Sequence, residues 1–93
     1  MLFVALYSPK PSASFAQSLK QRMEWKPPEG IKVVGEYWLQ HSNPHIIVAF
    51  EADNIAPIMA TNRQWSDLCD ITVTPAITSE EGLKLAKQMM PKT

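Results

Sequence analysis

The chain holds a single cysteine, three glycines and no excess charge of either sign. One cysteine rules out an internal disulfide and a Cys-rich zinc module. Cys69 lies in "SDLCD", between acids. A reactive thiolate needs electropositive surroundings, so Cys69 is expected to be a small buried hydrophobe. Nine basic and nine acidic residues cancel, which removes the basic footprint of a nucleic-acid binder. Lys20, Arg22 and Lys26 are read as a solvated helix face. Gly30, Gly35 and Gly82 lack the spacing of a phosphate-cradling loop. No apolar run approaches the ~18 residues of a transmembrane helix. The stretch "MLFVALYSPKP" carries no basic region and no small-residue cleavage site. No membrane partner is expected, and the cytoplasm is the expected location. No Ser-His-Asp or Cys-His arrangement is legible, and no cofactor is indicated.

What is present suits one small globular domain spanning residues 1–93, because 45% of the residues are apolar and 19% charged. "LFVALYS" (2–8) is a short apolar run closed by Pro9 and Pro11, the pattern of a strand covered on both faces. Ser12 or Ser14 can cap a helix whose apolar stripe is Phe15, Leu19 and Met23. "KPPEG" ends it. "IKVVGEYWLQ" and "HIIVAFEA" are β-branched and aromatic, and "HSNPH" between them supplies turn residues, so the two form an antiparallel hairpin. Asp53 or Asn54 caps a second helix with Pro57 in its first turn and Ile55, Ile58, Met59, Asn62 and Trp65 at helical spacing. "DITVTPAI" alternates as a fourth strand. Thr78 and Glu81 fit a capping box that opens a short third helix.

The order β-α-β-β-α-β predicts an α+β, ferredoxin-like sandwich. Strands one and three are apolar almost throughout, whereas two and four alternate. Central strands are covered on both faces and edge strands are not, so the four-stranded antiparallel sheet should run 4-1-3-2. Two helices cover only one face. An apolar patch left on the other marks an interface, and the expectation is a homodimer packed through its sheets.

The stretches "PPEGIKVVGEYW" (27–38), "VAFEAD" (48–53), "WSDL" (65–68) and "TVTP" (72–75) resemble a family of small uncharacterised proteins among the dimeric α/β-barrel, ferredoxin-like domains. The resemblance implies a dimeric α/β barrel and supplies no catalytic residue. The wider superfamily includes small monooxygenases, isomerases and ligand-sensing domains, among which fold alone does not choose.

Two candidate sites follow from the hairpin. With a three-residue loop, Leu39 pairs with Ile47, Trp38 with Val48, Tyr37 with Ala49 and Gln40 with Ile46. His41 then faces His45, with Cβ atoms about 5 Å apart. Zinc normally takes three or four protein ligands, and the spacing signals no third, so the histidines are read as an exposed hairpin tip on Ser42-Asn43-Pro44 and no metal site is assigned. In the same register Glu36, Trp38 and Gln40 share a face with Phe50, while Val33, Gly35, Tyr37 and Leu39 lie beneath the helices. Glu36, Trp38, Gln40 and Phe50 are thus the candidate ligand-binding residues of a mainly apolar cleft on the open sheet face, with hydroxyls from Thr72 and Thr74. The expected function is small-molecule binding by a homodimer. A cofactor-free monooxygenase- or isomerase-type enzyme using Glu36, Tyr7 or a histidine for proton transfer is the alternative, and a purely structural or regulatory association module is the third reading. Glu36 as a base would need a pKa raised by burial.

Overall fold

In the computed structural model, residues 1–41 and 43–90 are described. The elements are β1 (Leu2–Pro9), α1 (Phe15–Glu24), β2 (Lys32–Trp38), β3 (Ile46–Glu51), α2 (Ile55–Trp65), β4 (Cys69–Pro75) and α3 (Ser79–Met89). Each helix starts where a short polar side chain replaces the missing backbone acceptor. Ser14 accepts from the Gln17 N–H at 3.3 Å, Asn54 from the Ala56 N–H at 2.9 Å and Thr78 from the Glu81 N–H at 3.1 Å. The Thr78–Glu81 box is half made. The Glu81 carboxylate accepts from the Thr78 hydroxyl at 3.3 Å instead of reaching back to the cap's own N–H. Asp53, the other candidate cap of α2, lies 3.5 Å from the N-terminal ammonium.

The four strands form one antiparallel sheet in the order β2-β3-β1-β4. The expected 4-1-3-2 order and the ferredoxin-like topology are both observed. Directly paired residues on antiparallel strands share a face, so the sheet is a floor of cross-strand rows beneath α1 and α2. One row runs Ile71–Tyr7–Ile46–Trp38, the next Val73–Ala5–Val48–Glu36, and the third Pro75–Phe3–Phe50–Val33. Leu2, Val4, Leu6, Ile47, Ala49, Tyr37, Thr72 and Thr74 occupy the opposite face.

The hairpin departs from expectation in two ways. Trp38 pairs with Ile46 and Tyr37 with Ile47, and the Leu39 N–H donates to the His45 carbonyl at 2.7 Å. The register is shifted by two residues from the three-residue-loop pairing, so the loop is longer and His41 is not opposite His45. Ser42, expected in this turn, lies outside the described residues. The second departure is a bulge between Val33 and Gly35. An extra residue on one strand inverts the facing of everything beyond it. Val33 and Glu36 therefore share the helix side, and Gly35 and Tyr37 turn to the open side. Gly35 lets the Tyr37 ring lie over it, since a Cβ there would come 2.9 Å from the Tyr37 hydroxyl and push that exposed side chain aside.

The packed core is small. Ala5, Phe50, Ala52 and Ile58 form its buried cluster, with Phe3 stacked on Phe50 at 5.6 Å between ring centroids. Trp65 and Cys69 are buried at the other end of the same layer. Helix α3 buries no residue, and its Leu83 and Met89, with Met90 at its C-cap, are exposed. The chain is elongated, with a radius of gyration of 15.9 Å, against about 12 Å for a compact chain of this length.

Candidate functional site

A partly open cavity of about 460 Å³ lies between the sheet and the first two helices. Tyr7, Ile46, Val48 and Trp38 form its floor. Helix α2 supplies Ile58, Thr61, Asn62 and Trp65, and α1 supplies Phe15, Ser18, Leu19 and Arg22. Both sets follow the i, i+3, i+4, i+7 spacing that puts residues on one helical face. The stripe of α1 is rotated from the expected Phe15, Leu19 and Met23: Met23 is 78% exposed, and Ser18 and Arg22 face inward. Phe15 remains 80% exposed at the mouth.

Arg22, Glu36 and Trp38 are the polar centre. Arg22 Nε donates to Glu36 Oε2 at 2.8 Å and Nη2 to Oε1 at 2.6 Å, a bidentate pair. The Trp38 indole N–H donates to Glu36 Oε2 at 2.7 Å. The Arg22 hydrogen bond holds the Glu36 carboxyl below the usual carboxylate range, burial opposes it, and the Trp38 N–H helps. Glu36 is therefore a stabilised anion, not the base of raised pKa that proton transfer would need. The Arg22 guanidinium also lies over the Trp25 ring, 5.4 Å from its centre. Trp25 and Tyr7 each meet Trp65 edge-on, at 6.3 Å between centroids.

Burial pushes the Tyr7 phenol up to about 12, with Cys69 and Glu36 adding to the shift. The group stays a neutral hydrogen-bond donor, and none of the site's hydrogen bonds uses it. The Cys69 thiol is raised by burial and by Asp70, which suits a packing role. His45 is not an exposed tip. It is half-buried, and its backbone N–H and ring Nδ1 both meet the Tyr7 carbonyl, at 2.8 and 2.7 Å. A carbonyl only accepts, so the hydrogen bond needs its proton on Nδ1. His41 is exposed and borders the same cavity. Among the described residues no three His, Cys, Asp or Glu side chains converge on one point.

Of the sequence candidates, Glu36, Trp38 and Phe50 come together here, but on the helix side of the sheet and not on its open face. Gln40 lies beyond β2, exposed and not part of the lining although Leu39 and His41 on either side of it are, and Thr72 and Thr74 occupy the other face. The bulge at Val34 is the reason for the inversion. Arg22 and Trp25 were missed as site residues, and His45 was weighed only as a hairpin-tip, metal-ligating or proton-transferring histidine. Only the Phe15-Ser18-Leu19-Arg22 spacing signalled any of them.

No described helix is long and apolar enough to cross a membrane. A family model described as Domain of unknown function (DUF3303) matches residues 1–90. No curated protein and no solved structure matches the chain.

Proposed function

The chain belongs to that family of unknown function, and from this premise we propose that it is a cytoplasmic, homodimeric domain that binds a small, mainly apolar molecule between the sheet and helices α1 and α2. The cavity carries this reading. Its size falls within the range of about 300–1,000 Å³ usual for ligand pockets, and it combines aromatic walls with a few convergent polar groups. Binding ranks above catalysis because the two best-placed ionisable groups are tuned away from neutrality. Glu36 is held below its ordinary range and Tyr7 is pushed up to about 12, whereas a general acid or base works best with a pKa near the working pH.

The homodimer is supported by the face opposite the cavity. There Leu2, Val4, Leu6, Ile47 and Ala49 stay half-buried, Tyr37 is exposed, and α3 presents apolar side chains that no described residue buries. Apolar area of this kind is rare on a monomer.

Titration with the neutral fluorophore N-phenyl-1-naphthylamine tests the binding reading. A saturable gain in emission is expected, lost in Ser18→Trp, which fills the cavity from a helix with no buried residue. Absence of saturable binding, or binding indifferent to Ser18→Trp, sinks the reading. Sedimentation at micromolar concentration tests the dimer, and a persistent monomer refutes it.

A further inference from the structure

Among the residues lining the cavity Glu36 is the one carboxylate. It stands on the sheet floor in the row Val73–Ala5–Val48–Glu36, with apolar neighbours on its strand-pairing side. A carboxylate so placed requires a cation. The cation it has, Arg22, comes from the least anchored element of the layer. Helix α1 buries no residue, and the Arg22 side chain is 34% exposed against 15% for Glu36. Arg22 has a long flexible stem that reaches water at little cost. Glu36 is short, strand-borne and held by the Trp38 N–H.

Arg22 also displays what the site recognises. It is bound by a carboxylate on one side and by the face of Trp25 on the other. Carboxylate plus aromatic face is the recognition set for an organic cation. Resting on the cavity-binding reading, we propose that the ligand is an organic cation with an apolar body, whose ammonium or guanidinium group takes the place of Arg22 at Glu36 and against the indole rings while the apolar body fills the cavity. An anionic ligand would meet the Glu36 carboxylate, the one acidic group of the lining, and be repelled by it. A neutral one would leave the ion pair intact and gain nothing from it.

Calorimetry with three compounds of matched size separates these cases: 4-phenylbutylammonium, 4-phenylbutanol and 4-phenylbutanoate, each titrated into the full chain at pH 7. All three tryptophans of the chain border the cavity, so their emission gives a second readout. The ammonium is expected to bind about tenfold more tightly than the alcohol, and the carboxylate most weakly. In Glu36→Gln the ammonium is expected to lose its advantage, the ratio of its affinity to that of the alcohol falling from about tenfold to about one. Arg22→Ala, which removes the competing cation, should raise the affinity for the ammonium several-fold. If the alcohol or the carboxylate binds as tightly as the ammonium, the cation inference is wrong and the cavity reading stands. If Arg22→Ala weakens ammonium binding, the replacement of Arg22 is wrong. If none of the three binds to millimolar concentration while N-phenyl-1-naphthylamine does, the cation inference fails alone. If that probe fails as well, both readings fail.

Discussion

Helices α1 and α2 lie side by side on one sheet face and offer the cavity the same spacing of residues, yet they are held there differently. Helix α2 buries Ile58, Thr61 and Trp65. Helix α1 buries nothing. Apart from the edge contact of Trp25 with Trp65, its ties are polar, and all belong to its last turn and C-cap. The Gln21 side-chain amide donates to the Gln64 carbonyl at 2.7 Å, Arg22 pairs with Glu36, and the Trp25 indole donates to Gln64 Oε1 at 3.0 Å. Its first turn, with Phe15, borders the mouth of the cavity. One helix is a wall fixed by apolar burial. The other is a cover latched at one end by hydrogen bonds, each contributing far less net stability than a buried aromatic ring.

That contrast is broken most decisively by core substitutions. Trp65→Ala should cost about 3–5 kcal/mol and Ile58→Ala about 2–5 kcal/mol, read from denaturant midpoints. Leu19→Ala on α1 should cost about 1 kcal/mol or less, because its side chain has little packing to lose. A loss at Leu19 equal to that at Ile58 would mean that α1 is as firmly embedded as α2. Amide hydrogen exchange sharpens the same comparison without mutation. Amides of α1 should open about tenfold or more faster than those of α2, fastest in the first turn. Equal protection would contradict the latch.

Arg22→Ala is a smaller effect, about 1 kcal/mol at neutral pH, since the guanidinium is partly solvated. Its signature is the pH dependence. The folded-state pKa of Glu36 is depressed, so its contribution is complete above the ordinary carboxylate pKa near ~4.3 and is lost as pH falls through the lower folded value. Stability of the parent chain should therefore fall in that acidic window, and more steeply than in Arg22→Ala. Parallel curves would show that the pair contributes nothing. Met23→Ala, at a position 78% exposed, should change stability by no more than about 0.5 kcal/mol.

Much of the scaffold was legible because it rests on local chemistry. Proline and glycine bracket α1, Ser14, Asn54 and Thr78 cap the helices, and the contrast between solidly apolar and alternating strands ordered the sheet. The site was legible in part. Glu36, Trp38 and Phe50 were grouped correctly because the hairpin register differs from the simplest one by two residues, and an even shift keeps every side chain on its face. The side they occupy was misjudged because the bulge at Val34 is an odd shift. Counting from Val33 without it puts Gly35 and Tyr37 under the helices. Arg22 was read as solvated because a charge on a short amphipathic helix has no visible partner until the fold brings a strand beneath it. His45 was read as exposed because its half-buried setting comes from β1, a strand far away in sequence.

The sequence by itself determined which segments become helix or strand, where the helices start to within two residues, and which strands lie in the middle, since backbone preference and the periodicity of burial act within a few residues. Only the tertiary structure decided that Glu36 and Trp38 look at the helices, that Arg22 neutralises Glu36, and that α1 covers a hollow where α2 is packed. A strand has two faces, and the choice between them turns on a single unpaired residue. That residue is placed by pairing with β3, whose own position depends on β1, so the facing of the site is a property of the assembled sheet and of no single segment.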